Sequence, residues 1–177
     1  LGALGDLGVH KIDVIHHILG EPIVSVQAAL KTLDKRYPDG NLINVEDNAW
    51  CIMETASGVT GSLYAGWTCY GNERNSFVVY GTDGILRCYD DLQYALIIER
   101  KEHIEYCKLG GIQNNDDQKA GFVENTGVVR EFTDSILEER EPVSNGDEGL
   151  QTMRVLFAAI ESGKIGKKVD IIDNVDM

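Results

Sequence analysis

The stretch that decides the fold runs from Asp47 to Tyr70, DNAWCIMETASGVTGSLYAGWTCY. Two runs rich in apolar, aromatic and β-branched residues, 47–54 and 59–70, flank Ala56-Ser57-Gly58, a hairpin signal. The pattern repeats downstream. Arg74 to Tyr80 and Ile85 to Tyr89 flank Gly81-Thr82-Asp83-Gly84, and Tyr94 to Glu99 and His103 to Lys108 meet at Arg100-Lys101-Glu102. Consecutive hairpins imply an antiparallel meander and not a wound parallel sheet. Upstream, Ile23 to Leu33 alternates, with Val24, Val26, Ala28 and Leu30 on one face and Ser25 and Gln27 on the other. Asp34 to Asn44 and Lys108 to Phe122 read as polar loops.

Helices bracket the strands. The first runs from Asp6 to Leu19, stopped by Gly20 and Pro22. The last two are Val123 to Glu139, striped by Val128, Phe132 and Ile136, and Asp147 to Ser162, striped by Leu150, Met153, Phe157 and Ile160. The expected fold class is α+β, a large predominantly antiparallel sheet with helices on one face, in a single domain over 1–177. Ala49-Trp50-Cys51-Ile52-Met53 and Tyr94-Ala95-Leu96-Ile97-Ile98 are apolar on both faces. Helices cover one face, so the other is expected to meet the same sheet of a second subunit, making a homodimer.

Composition narrows the function classes. A formal net charge of −13 repels nucleic acid and anionic membrane, so neither is an expected partner. No apolar run approaches the roughly 20 residues that span a bilayer. Cys51, Cys69, Cys88 and Cys107 form no CxxC pair and read as reduced core thiols of a cytoplasmic protein, with a disulfide framework as the alternative. The chain opens directly into a helix, with no strand before it and no initiator Met, as a piece of a longer protein would.

Within the first helix, Asp6, His10, Asp13 and His17 sit at spacings of four, three and four residues. At about 100° per residue they fall in an arc of roughly 60°. Leu7 and Val14 lie on one flank and Val9 on the other, while Ile12, Ile15, Ile18 and Leu19 fill most of the remainder. A narrow polar line set into an apolar cylinder should face a cleft. Asp6 has a plain reading as an N-cap or first-turn acid. Paired with His10 one turn later it has another, an imidazole held and stabilised by a carboxylate for general-base work. Asp13 and His17 either bind substrate hydroxyls or complete a polar network, and His16 and His103 read as surface residues. Asp6 and His17 lie roughly 16 Å apart along the axis and cannot share one metal ion, so no metal is expected. Trp50, Trp67 and Tyr70 read as core or interface aromatics, any of which suits a sugar-stacking role. No two of the 19 glycines are separated by a single residue, and GxGxxG is absent.

Gly2-Ala3-Leu4-Gly5-Asp6-Leu7-Gly8-Val9-His10-Lys11-Ile12-Asp13 resembles the G-x-L-x-D-x-G-x-H-x-x-D stretch of the Gfo/Idh/MocA oxidoreductases. The likeness continues at Leu19-Gly20-Glu21-Pro22, Val45-Glu46-Asp47-Asn48-Ala49, Val79 to Leu86, Phe132 to Pro142 and Ala158 to Gly163. The resemblance implies an N-terminal dinucleotide-binding domain outside this chain, carrying NAD or NADP and a catalytic Lys in an E-K-P sequence. It implies that this chain is the C-terminal substrate and dimerisation domain. Asp6 and His10 would match the catalytic pair, with Asp13 near the substrate. The expected activity is oxidation of a secondary hydroxyl on a sugar, cyclitol or related polyol. The alternatives are NAD-dependent glycoside cleavage and a non-catalytic dimerisation or sugar-binding module. The isolated chain is expected to be inactive.

Overall fold

The computed structural model describes residues 1–71, 74–108 and 127–171. It is α+β, and its strands pair antiparallel in two sheets of four. The chain packs as two compact units, residues 1–70 with 143–177 and residues 71–142. Among the described residues, no helix is long and apolar enough to cross a membrane. Most of the loop read over 108–122, and the first turn of the helix read from Val123, lie outside the described residues.

In the first unit, β1 (Ile23–Lys31), β2 (Asn48–Thr55), β3 (Thr60–Gly66) and the short β8 (Val169–Asp170) form a sheet of order β3-β2-β1-β8. Alternation sends Val26 and Ala28, Ala49, Cys51 and Met53, and Leu63 and Ala65 to one buried face. Near its start β1 departs from the simple pattern. Ile23 pairs with Thr55 and Ser25 with Glu54, so Val24 is the extra residue of a bulge. Ser25 is therefore buried, whereas period two assigned it to the outer face.

The helix α1 (Val9–Leu19) and the helix α3 (Gly146–Ile165) cover that face, α3 lying on β1 and α1 on α3. The side of α3 turned inward is Thr152, Val155, Leu156, Ala159 and Ser162, not the expected stripe. Leu150 and Phe157 are more than half exposed, while Met153 and Ile160 sit at the margin of the core. Small residues explain the rotation. A Cβ on Gly163 would lie 2.6 Å from the Leu30 side chain, so helix and strand touch as closely as glycine allows. At the same contact the buried Ser162 hydroxyl accepts the Ala28 N–H at 2.8 Å and donates to the Lys167 carbonyl at 2.6 Å.

β1 stops at Lys31, two residues before its alternation ends, because the next amides are taken elsewhere. Leu33 donates to one Asp47 carboxylate oxygen at 2.8 Å, and Asp34 and Lys35 donate to the other at 2.8 Å each. Asn48 adds a fourth bond at 2.9 Å. Asp47 is fully buried. Burial is the largest single influence on its pKa and raises it. The bonds from Lys35, Asp34, Asn48 and Leu33 together outweigh burial and hold the carboxyl well below the usual carboxylate range.

The second unit is a meander, β4 (Phe77–Tyr80), β5 (Gly84–Cys88), β6 (Leu96–Arg100) and β7 (His103–Cys107), each strand paired with the next. Arg87 on β5 reaches Glu99 on β6 at 2.6 Å. The same unit contains the helix α2 (Val128–Leu137), whose expected core stripe is open to solvent, Phe132 and Ile136 each at 61%. All four cysteines are unpaired. Cys51 is a core thiol, pushed up to about 11 by burial, but Cys69 is exposed and lies 3.4 Å from the Tyr64 hydroxyl. Nor is His16 an ordinary surface residue. Its Nε2 accepts the Ile23 N–H at 3.4 Å, its Nδ1 is buried without a partner, and burial lowers its pKa against the opposing pull of Asp13.

Asp47→Asn is expected to cost about 3 kcal/mol in urea unfolding, since an amide NH2 would replace one of the two oxygens that accept three backbone amides. His16 gives a pH test. A histidine whose folded-state pKa is depressed adds stability above its unfolded value of about 6.5, and that stability is lost as pH falls through the lower, folded value. The urea midpoint should drop below pH 6.5, and His16→Gln, which keeps an acceptor for Ile23, should flatten that drop. An equal slope in both proteins would contradict the assignment.

Candidate functional site

The first helix begins earlier than its acid suggests. Leu4–Gly8 forms a π-helical turn in which the Val9 N–H reaches back to the Leu4 carbonyl, and α1 follows without a break. The open amides at this end are met by Glu46. One carboxylate oxygen accepts Gly2 N–H at 3.0 Å and Leu4 N–H at 3.2 Å, and its carbonyl accepts Ala3 N–H at 2.9 Å. A Cβ on Gly2 would lie 2.0 Å from the Glu46 carbonyl oxygen. Gly2 therefore serves close approach of two backbones, and Gly5 and Gly8 lie inside the helical turn, so this glycine run does not fit a dinucleotide phosphate. Asp6, offered by its position as an N-cap, is left free for other work.

Asp6, His10, Asp13 and His17 are all solvent-exposed, as is Leu7 beside them. Asp6 Oδ2 accepts the indole N–H of Trp67 at 2.9 Å. No hydrogen bond joins Asp6 to His10 among the described residues. Asp13 Oδ1 accepts the Thr152 hydroxyl of α3 at 3.3 Å. The imidazoles of His10 and His17 carry no hydrogen bond to another described residue and stand open to a ligand. A carboxylate held at a fixed point, an unencumbered imidazole and further polar groups along the same helix can orient a hydroxylated molecule and accept its proton. Among the described residues, no group of three or more His, Cys, Asp or Glu side chains is placed to hold a metal ion.

The aromatic residues separate once contacts are known. Trp50 lies on the sheet face turned away from the helices, its ring centroid 4.5 Å from that of Tyr64. Tyr70 is bound to the loop after β1, its hydroxyl on the Asp34 carboxylate and its ring 4.8 Å from the Lys35 amine. Trp67 alone of the three reaches the Asp6 carboxylate. No sequence pattern distinguished it, since its partner lies 61 positions away. Glu46 likewise had no signal beyond its place in Val45-Glu46-Asp47-Asn48-Ala49.

Known proteins share this fold. Residues 1–87 match the family described as GFO/IDH/MocA C-terminal domain. No curated protein matches the chain in sequence. Among solved structures, an NAD binding oxidoreductase from Klebsiella pneumoniae is 26% identical, with a TM-score of 0.75 over 98% of this chain and 51% of that one. A levoglucosan dehydrogenase solved with NADH is 22% identical, with a TM-score of 0.77 over 97% of this chain and 50% of that one. An aldose-aldose oxidoreductase from Caulobacter crescentus, complexed with glycerol, is 22% identical, with a TM-score of 0.71 over 96% and 47%. The chain thus spans about half the length of the solved proteins it matches. Residues 1–87 thus resemble the GFO/IDH/MocA C-terminal domain, and the α+β architecture is shared along nearly all of the chain with these oxidoreductases.

Proposed function

We propose that this chain is the substrate-binding and catalytic half of an NAD(P)-dependent dehydrogenase acting on a secondary hydroxyl of a sugar, cyclitol or related polyol. The observation that carries the reading is the exposed pair Asp6 and His10 at the start of α1, with the Asp6 carboxylate tethered by Trp67. Solved relatives of this fold include a levoglucosan dehydrogenase and an aldose-aldose oxidoreductase, which supports the substrate class. His10 accepts the hydroxyl proton, and Asp6 stabilises the imidazolium that results. Asp13 and His17 hold further hydroxyls along the same line. The sequence carries no GxGxxG, and in this reading the cofactor, NAD or NADP, is carried by an accompanying domain. When bound there, the nicotinamide supplies the hydride acceptor.

Trp50 and Ile52, 59% and 64% exposed, lie with Ala29 and Tyr64 on the outer face of the first sheet. Ala29, Trp50 and Tyr64 form one row across three strands. An apolar face of this kind supports a homodimer through the sheet. The unpaired thiols suit a reducing, cytoplasmic setting.

The test uses the full-length protein, with NAD reduction measured on levoglucosan, D-glucose and myo-inositol. His10→Ala should lower kcat about 1000-fold on the best donor while leaving NAD affinity within about twofold. A kcat close to wild type would remove His10 from this role, and release of product from an aryl glycoside would point to hydrolysis. For the interface, light scattering should give a dimer at micromolar concentration, and Trp50→Glu should shift it toward monomer. A monomeric wild type would overturn the sheet-face dimer.

A further inference from the structure

We infer that Trp67 is a positioning residue of this site, its indole N–H setting the direction of the Asp6 carboxylate. The inference rests on the reading of Asp6 as a functional group. It goes further by naming the residue that aims Asp6 and the device that keeps the two in register.

That device is the dipeptide Glu46-Asp47. Glu46 grips the start of the helix carrying Asp6 through three bonds, to Gly2, Ala3 and Leu4. The Asp47 carbonyl accepts the Trp67 backbone N–H at 2.9 Å, and the Asp47 N–H is itself held by the Lys31 carbonyl at 3.1 Å. Acceptor and donor of the Asp6–Trp67 bond therefore hang from adjacent residues of the segment that leads into β2. The buried Asp47 carboxylate, with its four hydrogen bonds, holds that segment in place. Neither partner can slide without moving the other.

The chemistry of the donor matters. Indole has one N–H and no acceptor, so the bond has a single polarity and takes up one carboxylate oxygen. It occupies Oδ2 and leaves Oδ1 without a described partner on an exposed side chain. A phenylalanine would keep most of the apolar contact and lose the aim.

The experiment uses the full-length protein with NAD and the best of the three hydroxyl donors above. Trp67→Phe should lower kcat about tenfold and leave the KM for NAD within about twofold. If Trp67 works through Asp6, Trp67→Phe adds no further loss in an Asp6→Ala background. With 15N-labelled tryptophan, the indole resonance that disappears in Trp67→Phe should shift in Asp6→Ala. An unmoved resonance, a Trp67→Phe kcat within twofold of wild type, or losses that multiply in the double variant would each overturn the role of Trp67 while leaving Asp6 in the site. Wild-type turnover in Asp6→Ala would instead sink the reading of the site, and the inference with it. Loss of thermal stability in Trp67→Phe with an unchanged kcat marks a structural tryptophan only and counts against it.

Discussion

A carboxylate sealed from water has to be hydrogen-bonded on both oxygens or it will not stay charged, and Asp47 meets that condition with three backbone amides and one side-chain amide. Those bonds end β1, tie the following loop to the segment before β2, and pin that segment, from which Glu46 and the Asp47 carbonyl reach their partners. The start of the site helix and the backbone of Trp67 both attach there. A single buried charge thus joins the sheet, a loop, a helix terminus and an aromatic anchor.

The site that results is a line on a helix and not an enclosed cavity. Asp6 and Asp13 are tied from the side, by Trp67 and Thr152, while the two imidazoles are left open. The opposite face of the same sheet offers an apolar row of Ala29, Trp50 and Tyr64. The two faces of the sheet thus differ, one covered by α1 and α3, the other carrying an exposed apolar row.

Much of the fold was legible, and for definite reasons. Period-two alternation and short turns identified the hairpins, because a pleated strand advertises its faces residue by residue. Element ends were less legible. β1 was expected to run on to Leu33 but stops at Lys31, because the amides of Leu33, Asp34 and Lys35 bind the Asp47 carboxylate instead of continuing a ladder. The bulge at Val24 inverted one assignment, and the turn of α3 inverted another, since Gly163 and Ser162 approach β1 more closely than any bulky residue permits. In the site, the spacing of Asp6, His10, Asp13 and His17 was visible, but the bond from Asp6 to Trp67 was not.

What the sequence alone determined is whatever repeats locally: the antiparallel hairpins, the apolar cylinder with its polar line, and the motif from Gly2 to Asp13. Such features arise from the chain's own period and need no distant partner. Tertiary structure decided which residue caps the first helix, which aromatic touches Asp6, and how α3 turns against the sheet. These depend on groups tens of positions apart meeting at hydrogen-bond distance, and no local pattern encodes such a meeting.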